Sequence, residues 1–319
     1  MSVPGTVQVG GWSAPLGSAV RFLLAPGARQ RNDVSAAREL NVAQLSQPLP
    51  TGLSMTWLGT AGFTLAYEGF HLVIDPYLTR TGLGSVVRHR PLRPSVDLID
   101  RHVPRADAIL VGHTHFDHAL DVPELARRRG CRVYGSSALA TLMGLAGLTD
   151  ACVTAEPGRC YALGPFEVTF VPSVHSKLVL GLKVNAEGEI TCDHLDDMHQ
   201  GCFRCGQVWG IHIAVAGRTF YHQGSANLIE SALRHRAVDY LLCGIAGRGF
   251  TRDYTRRVLG ALQPKTVIAH HHDNFFLPLE GPMGFSFNVN FGGFVEEVRR
   301  VSADFEVRVF DPLQTVVGD

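Results

Sequence analysis

Apolar positions fall into short runs broken by glycine turns up to about residue 75, then into strand-like and helix-like segments in alternation. Residues 54–58, 63–67 and 71–74 are β-type runs separated by Gly-Thr-Ala-Gly and Glu-Gly, the pattern of a meander. A loop region from Pro76 to about Arg105 leads to the unbroken apolar run Ala108-Ile109-Leu110-Val111, which reads as a buried strand. Residues 121–129 follow as a short helix, with Asp121 as N-cap and Pro123 in the first turn. A strand over 131–134, a helix over 137–145, a strand over 166–172 and a hairpin over 208–221 turning at Gly217 complete the first half. The second half predicts helices over 228–234, 251–262 and 294–300, and strands over 238–245, 266–269 and 305–310. Residues 1–52, rich in Gly, Ala, Ser, Gln and Pro, read as an arm around the domain with one short helix near 34–45, and the domain itself spans 53–319. Helices that can cover only outer faces point to an α/β fold of two packed sheets, a four-layer αββα sandwich.

Composition narrows the function. Apolar residues make up 45% of the 319 and charged residues 18%, enough for one substantial core. Lys+Arg and Asp+Glu are both 29, and the short runs Arg127-Arg128-Arg129 and Arg256-Arg257 suit solvated helix faces. Nucleic acid is therefore not expected as a partner. The N-terminus lacks a charged leader region, the apolar stretch near 19–24 is short and interrupted, and no run of 18 apolar residues occurs. A soluble, cytoplasmic protein is expected, with self-association left open.

The run Val111-Gly-His-Thr-His-Phe-Asp-His118 carries the strongest chemical signal. His113, His115, Asp117 and His118 crowd onto a turn straight after a buried strand, so one loop can aim all four at one point. Imidazole nitrogen and carboxylate oxygen are the donors that zinc-type ions take at about 2.0–2.2 Å, with a position left open for water when the site is catalytic.

With Trp57-Leu-Gly-Thr-Ala-Gly62 and Ile74-Asp75-Pro76, this motif resembles the signature of the metallo-β-lactamase-fold superfamily from about Met55 onward. Within it, the chain is similar to the branch of ascorbate-6-phosphate lactonase and N-acylphosphatidylethanolamine phospholipase D. The resemblance implies a first site of His113, His115 and His175, the last from Val171-Pro-Ser-Val-His175-Ser. It implies a second site of Asp117, His118 and His271, the last from Ile268-Ala-His-His271-His-Asp-Asn-Phe275. It also implies zinc, one or two ions per site, with manganese or iron as alternatives. One departure stands out. Where the family has a Gly-Asp-Thr or Gly-Asp-Ser turn with a bridging aspartate, this chain has Tyr221-His-Gln-Gly-Ser225-Ala-Asn227. Ser225 is a poor replacement for a bridging carboxylate; His222 and Asn227 are the candidate substitutes. Asp75 reads as support for the fold or for a ligand histidine.

Against that branch, residues 184–206 look like an insertion. Cys192, His194, His199, Cys202 and Cys205 allow a structural zinc site built on Cys202-x2-Cys205, a redox CxxC pair, or a polar loop with unpaired thiols. Cys131, Cys152, Cys160 and Cys243 read as buried thiols. His212 reads as structural, and one of His270 and His272 as a donor to a developing oxyanion. The phenylalanines of 274–294 read as core under a long loop or as an apolar pocket wall.

The cluster suits an ion that lowers the pKa of bound water toward about 7. Asp117 would orient the nucleophile or hold the second ion, with His271 beside it. No Gly-x-Ser-x-Gly elbow and no phosphate loop compete with this. The expected function is metal-dependent hydrolysis of an ester, lactone, phosphodiester or amide in a small-molecule or lipid-like substrate. The alternatives are an iron-dependent oxidoreductase of the sulfur dioxygenase kind and a non-catalytic binding protein with an impaired metal site.

Overall fold

A computed structural model of the chain describes residues 26–177, 186–287 and 289–319. Among them, strands and helices alternate much as the hydrophobic pattern predicts. The meander is β1 (Ser54–Gly59), β2 (Gly62–Tyr67) and β3 (Phe70–Ile74). Parallel strands β4 (Ala108–Leu110), β5 (Arg132–Gly135) and β6 (Cys152–Thr154) extend that sheet beyond β3. The second sheet contains β7 (Cys160–Leu163), β8 (Phe166–Ser173), β9 (Val208–Val215) and β10 (Arg218–Gln223), followed by parallel β11 (Tyr240–Gly244), β12 (Thr266–His270) and β13 (Glu306–Val309). A last strand, β14 (Thr315–Val317), crosses back to pair antiparallel with β1.

The packing gives the four layers. One apolar cluster lies between the sheets, with Trp57, Phe63 and Leu110 from the first meeting Phe170, Ile211 and Ile268 from the second. Alternate residues on the same strands face outward. Ile109 joins a cluster under helices α5 (Val122–Arg129) and α6 (Ser137–Leu145), and Leu241 and Val267 join one under α7 (Tyr254–Leu262) and α8 (Phe291–Val301). Burying both faces of the central strands is why they read as unbroken apolar runs.

Several expectations need correction. The helix predicted over 228–234 is only a single 3-10 turn, Glu230–Ala232, because the Arg257 guanidinium takes the Leu228 carbonyl and the Glu230 carboxylate. The loop region after Pro76 carries two short helices, α2 (Leu83–Val87) and α3 (Val96–His102). The arm helix, α1 (Pro26–Glu39), runs earlier than predicted, and Asp33 Oδ1 accepts from Gly292 N at 2.8 Å. Residues 1–25 of that arm lie outside the described residues. Cys160 is exposed and Cys152 half-buried, so only Cys131 and Cys243 of that group are buried thiols.

Candidate metal centre

Strand ends deliver the polar side chains. β4 stops at Leu110, and the chain turns through Gly112 into the one-turn helix α4 (Phe116–Ala119), with His115 at its N-cap. Gly112 N donates to Asp75 Oδ1 at 2.6 Å, and a Cβ on Gly112 would crowd Asp75 Oδ2 at 3.0 Å, so glycine lets the loop approach the carboxylate closely. Asp75 follows β3, His175 follows β8 and His271 follows β12. Asp75 and His271 both adopt left-handed backbone, at φ 43° and 58°. Non-glycine residues hold that conformation at a cost and cluster at functional sites.

The result is two adjoining triads. The donor atoms of His113, His115 and His175 lie within 4.8 Å of one another, as do those of Asp117, His118 and His271. The triads touch where the rings of His113 and His118 come within 3.8 Å, centroid to centroid. His113 Nε2 faces His115 Nδ1 at 3.1 Å, and His271 Nε2 faces Asp117 Oδ2 at 3.3 Å. All six expected ligands are therefore brought together, and among the described residues no other group of metal-competent side chains is.

These residues fit a divalent ion. Nδ1 of His113 and Nδ1 of His271 are buried with no hydrogen-bond partner, a costly state for a polar atom. Burial, followed by the neighbouring imidazoles, holds His113 well below its ordinary pKa and brings His175 down to about 3. Both rings thus stay neutral, the form that ligates. Burial opposes the charge on Asp117, but its hydrogen bond to His271 and the surrounding imidazoles outweigh it and keep the carboxyl well below the usual range. Five imidazoles and one carboxylate make a nitrogen-rich donor set that suits zinc and also admits iron.

Neighbours fix the rings. His118 Nδ1 donates to Asp75 Oδ2 at 2.8 Å, leaving Nε2 for a ligand role. Burial works against a charged His118, yet Asp75 raises its pKa. His175 Nδ1 donates to the Ser176 carbonyl at 2.7 Å. Asp75 therefore stands directly behind His118, one of the candidate ligands.

The turn that should bridge the two ions does something else. Ser225 Oγ accepts from Ser176 N at 3.1 Å and so anchors the segment beside His175. His222 Nε2 donates to the Ala61 carbonyl at 2.8 Å, and Asn227 is taken up by the Leu228 amide, Arg257 and the His175 carbonyl. His222 joins neither triad, and the Asn227 amide is spent on the contacts just given. His270 and His272 are fully buried, stacked on His222 and on Trp57 respectively, so neither is placed as an oxyanion donor.

The cysteine segment is arranged otherwise than a zinc site requires. Cys192 and Cys202 form a disulfide, which removes two thiolates from the expected set. Cys205 is a separate buried thiol whose pKa burial pushes up to about 12. His199 pairs with His89, Nδ1 to Nδ1 at 3.4 Å, and His194 is exposed. Part of the expected insertion, residues 184–185, lies outside the described residues.

Sequence reasoning missed one feature. Arg80 and Asp273 form a buried ion pair at 2.9 Å, and both grip Thr60: Asp273 accepts from its amide and Arg80 donates to its hydroxyl. Since His271 N donates to the Thr60 carbonyl at 2.8 Å, this pair clamps the His271 loop to the β1–β2 turn. The only available signal was an aspartate two residues after the ligand. The aromatic segment is split between roles: Phe291 and Phe294 are core, whereas Phe275 lies 5.6 Å from His271 and borders Phe116.

A family model described as a beta-lactamase superfamily domain matches residues 54–271. A UPF0173 metal-dependent hydrolase of Anaeromyxobacter sp. (strain K) is 30% identical over 233 residues, covering 69% of this chain and 75% of the relative. One from Carboxydothermus hydrogenoformans is 29% identical over 231 residues, covering 70% and 86%. Among solved structures, Igni18, a metallo hydrolase from Ignicoccus hospitalis, aligns at TM-score 0.52 with 21% identity, over 83% of this chain and 97% of its own. CmlA, a diiron beta-hydroxylase from Streptomyces venezuelae, aligns at 0.55 with 16% identity, over 85% and 55%. At those identities the structures speak for the fold alone.

Proposed function

The chain belongs to the metallo-β-lactamase superfamily, and from that premise we propose that it is a metal-dependent hydrolase of esters, lactones, phosphodiesters or amides in small or lipid-like molecules. The observation that carries this reading is the pair of adjoining triads, with neutral imidazoles on one side and an ionised carboxylate on the other. His113, His115 and His175 would hold one ion, and Asp117, His118 and His271 a second. Such an ion, when bound, lowers the pKa of water and polarises a carbonyl or phosphoryl oxygen, which suits zinc above manganese or iron.

The chain's own residues supply position and shape. Asp117, ionised among imidazoles, offers its carboxylate oxygens to orient an attacking water. Asp75 keeps His118 in one tautomer, and the Arg80–Asp273 clamp keeps His271 in place. Phe275 and Phe116 give one wall of the site an apolar face, which favours an acyl or aromatic group on the substrate. Among the described residues no helix is long and apolar enough to cross a membrane, and we place the protein in the cytoplasm.

The test is turnover of a panel containing an aryl ester, an aliphatic lactone, an aryl phosphodiester and an anilide, with zinc supplied. Hydrolysis of at least one, lost by about a thousandfold or more in His115→Ala, supports the reading. An iron-loaded protein that consumes oxygen and hydrolyses none of the panel would replace it with the oxidoreductase alternative, which the nitrogen-rich donor set also admits.

A further inference from the structure

We propose that the Cys192–Cys202 disulfide is a redox-sensitive latch on the first triad, bracing the loop that presents His113 and His115 when closed and weakening metal binding there when opened by a dithiol reductant. The proposal rests on reading His113, His115 and His175 as a metal site.

The bond closes a ten-residue separation around a 3-10 turn at Leu195–Asp197. Inside that loop Met198 is fully buried, and its carbonyl accepts from Leu92 N at 2.8 Å. Directly after Cys202, Phe203 is buried in the cluster that also holds Val111 and Phe116, the residues on either side of the ligand loop. The chain then runs along that loop. Thr114, standing between the two ligands, gives its amide to the Cys205 carbonyl at 3.2 Å and its hydroxyl to the Arg204 and Cys205 carbonyls. Gly206, at φ +59°, comes so near that a Cβ would lie 3.3 Å from Thr114 Oγ1. Trp209 N donates to the Gly112 carbonyl at 2.8 Å. One side of the His113–His115 loop is thus a wall made by residues 203–209, and the disulfide fixes where that wall begins.

The second triad shares part of this support, since Asp75 also holds the Gly112 amide, but it has further anchors of its own. His118 rests on Asp75, and His271 on Thr60 and the Arg80–Asp273 pair, all remote in sequence from the disulfide. Opening the latch should therefore act mainly on the first triad.

The chemistry balances with a dithiol. Its thiolate attacks the sulfur of Cys192, the half-buried partner, and the S–S electron pair leaves with the sulfur of buried Cys202. The second thiol resolves the mixed disulfide; the protein gains two electrons and two protons and the reductant becomes a disulfide. Cys205 takes no part, its thiol being held protonated by burial. In a reducing compartment a disulfide of this kind is transient and regulatory rather than a permanent staple.

Zinc is the probe. Thiol titration of the denatured chain should find five free cysteines of the seven in air-oxidised protein and seven after treatment with a phosphine, which does not compete for zinc as a dithiol would. Zinc affinity is then read by competition with a chromogenic chelator, with His115→Ala and His118→Ala assigning each step to a triad. Reduction, and the Cys192→Ser/Cys202→Ser variant, should weaken the first-triad zinc by about tenfold or more, leave the second within about twofold, and let reoxidation restore the wild-type protein. Equal affinities in all forms, seven free thiols in every form, or equal weakening of both triads would overturn the latch. Zinc bound by no form would overturn the metal assignment and the latch with it.

Discussion

The two triads share a ring contact but are built on different terms. The first consists of three imidazoles, with His113 and His175 kept neutral by burial; it offers a cation donor atoms and no counter-charge. The second contains Asp117, and a further carboxylate, Asp75, stands directly behind His118. Their support differs as well. The first depends on backbone contacts from residues 203–209 and on the Ser225 hydroxyl, which fixes Ser176 beside His175. The second adds buried charges, the Arg80–Asp273 pair and Asp75, although Asp75 also holds the Gly112 amide of the first triad's loop. The comparison teaches that two adjoining donor triads can be organised by different means, donor number and loop rigidity on one side and charge on the other. The two sites should then fail to different insults.

The largest effects should come from the ligands themselves. His115→Ala should cost about a thousandfold or more in kcat/KM and remove the first ion only; Asp117→Ala should do the same for the second, with metal analysis separating the cases. If either substitution empties both triads, the division drawn here is wrong. Next comes Asp75→Asn, which keeps the shape but loses the charge behind His118. Second-triad zinc affinity should fall about 10–100-fold while the first triad holds, as read by chelator competition. Ser225→Asp is a gain-of-function counterpart. A carboxylate at this turn should strengthen zinc binding by about tenfold, and unchanged affinity would show that this centre is organised without a bridge.

The smallest effect lies away from both triads and serves as a control on pH dependence. His212 stacks on His235 at 3.6 Å, and burial, then the neighbouring ring, push its pKa down to about 4 from 6.5. Between those values the unfolded chain binds the proton that the folded protein refuses. Stability should therefore rise with pH across that window and be complete above it. Allowing for solvent around the half-buried ring, the contribution is at most about 1–2 kcal/mol. Denaturant unfolding at about pH 4.5 and about pH 7.5 should show a shallower slope for His212→Gln than for wild type, with zinc affinity unmoved at the higher pH.

Much of this architecture is legible in the sequence because burial writes itself into the hydrophobic pattern. β4 and β11 read as apolar runs since both faces are covered, and helix Ser137–Leu145 ends where the periodicity does. The six candidate ligands are also legible, four from one loop and two from the resemblance at strand ends. What the pattern hides is long-range pairing between short polar segments. Nothing local announces that Arg80 meets Asp273, that Arg257 unravels the expected 228–234 helix, or that Cys192 chooses Cys202 over a place in a zinc site. The first two are settled by partners distant along the chain, and the third by a choice among nearby cysteines that spacing alone leaves open.

The most direct test is metal content per chain by mass spectrometry, after zinc loading and desalting, in wild type, His115→Ala and His118→Ala. Two ions in wild type and one in each variant is the result expected of two adjoining triads. The same number in all three proteins, or no ion in any of them, would contradict the account.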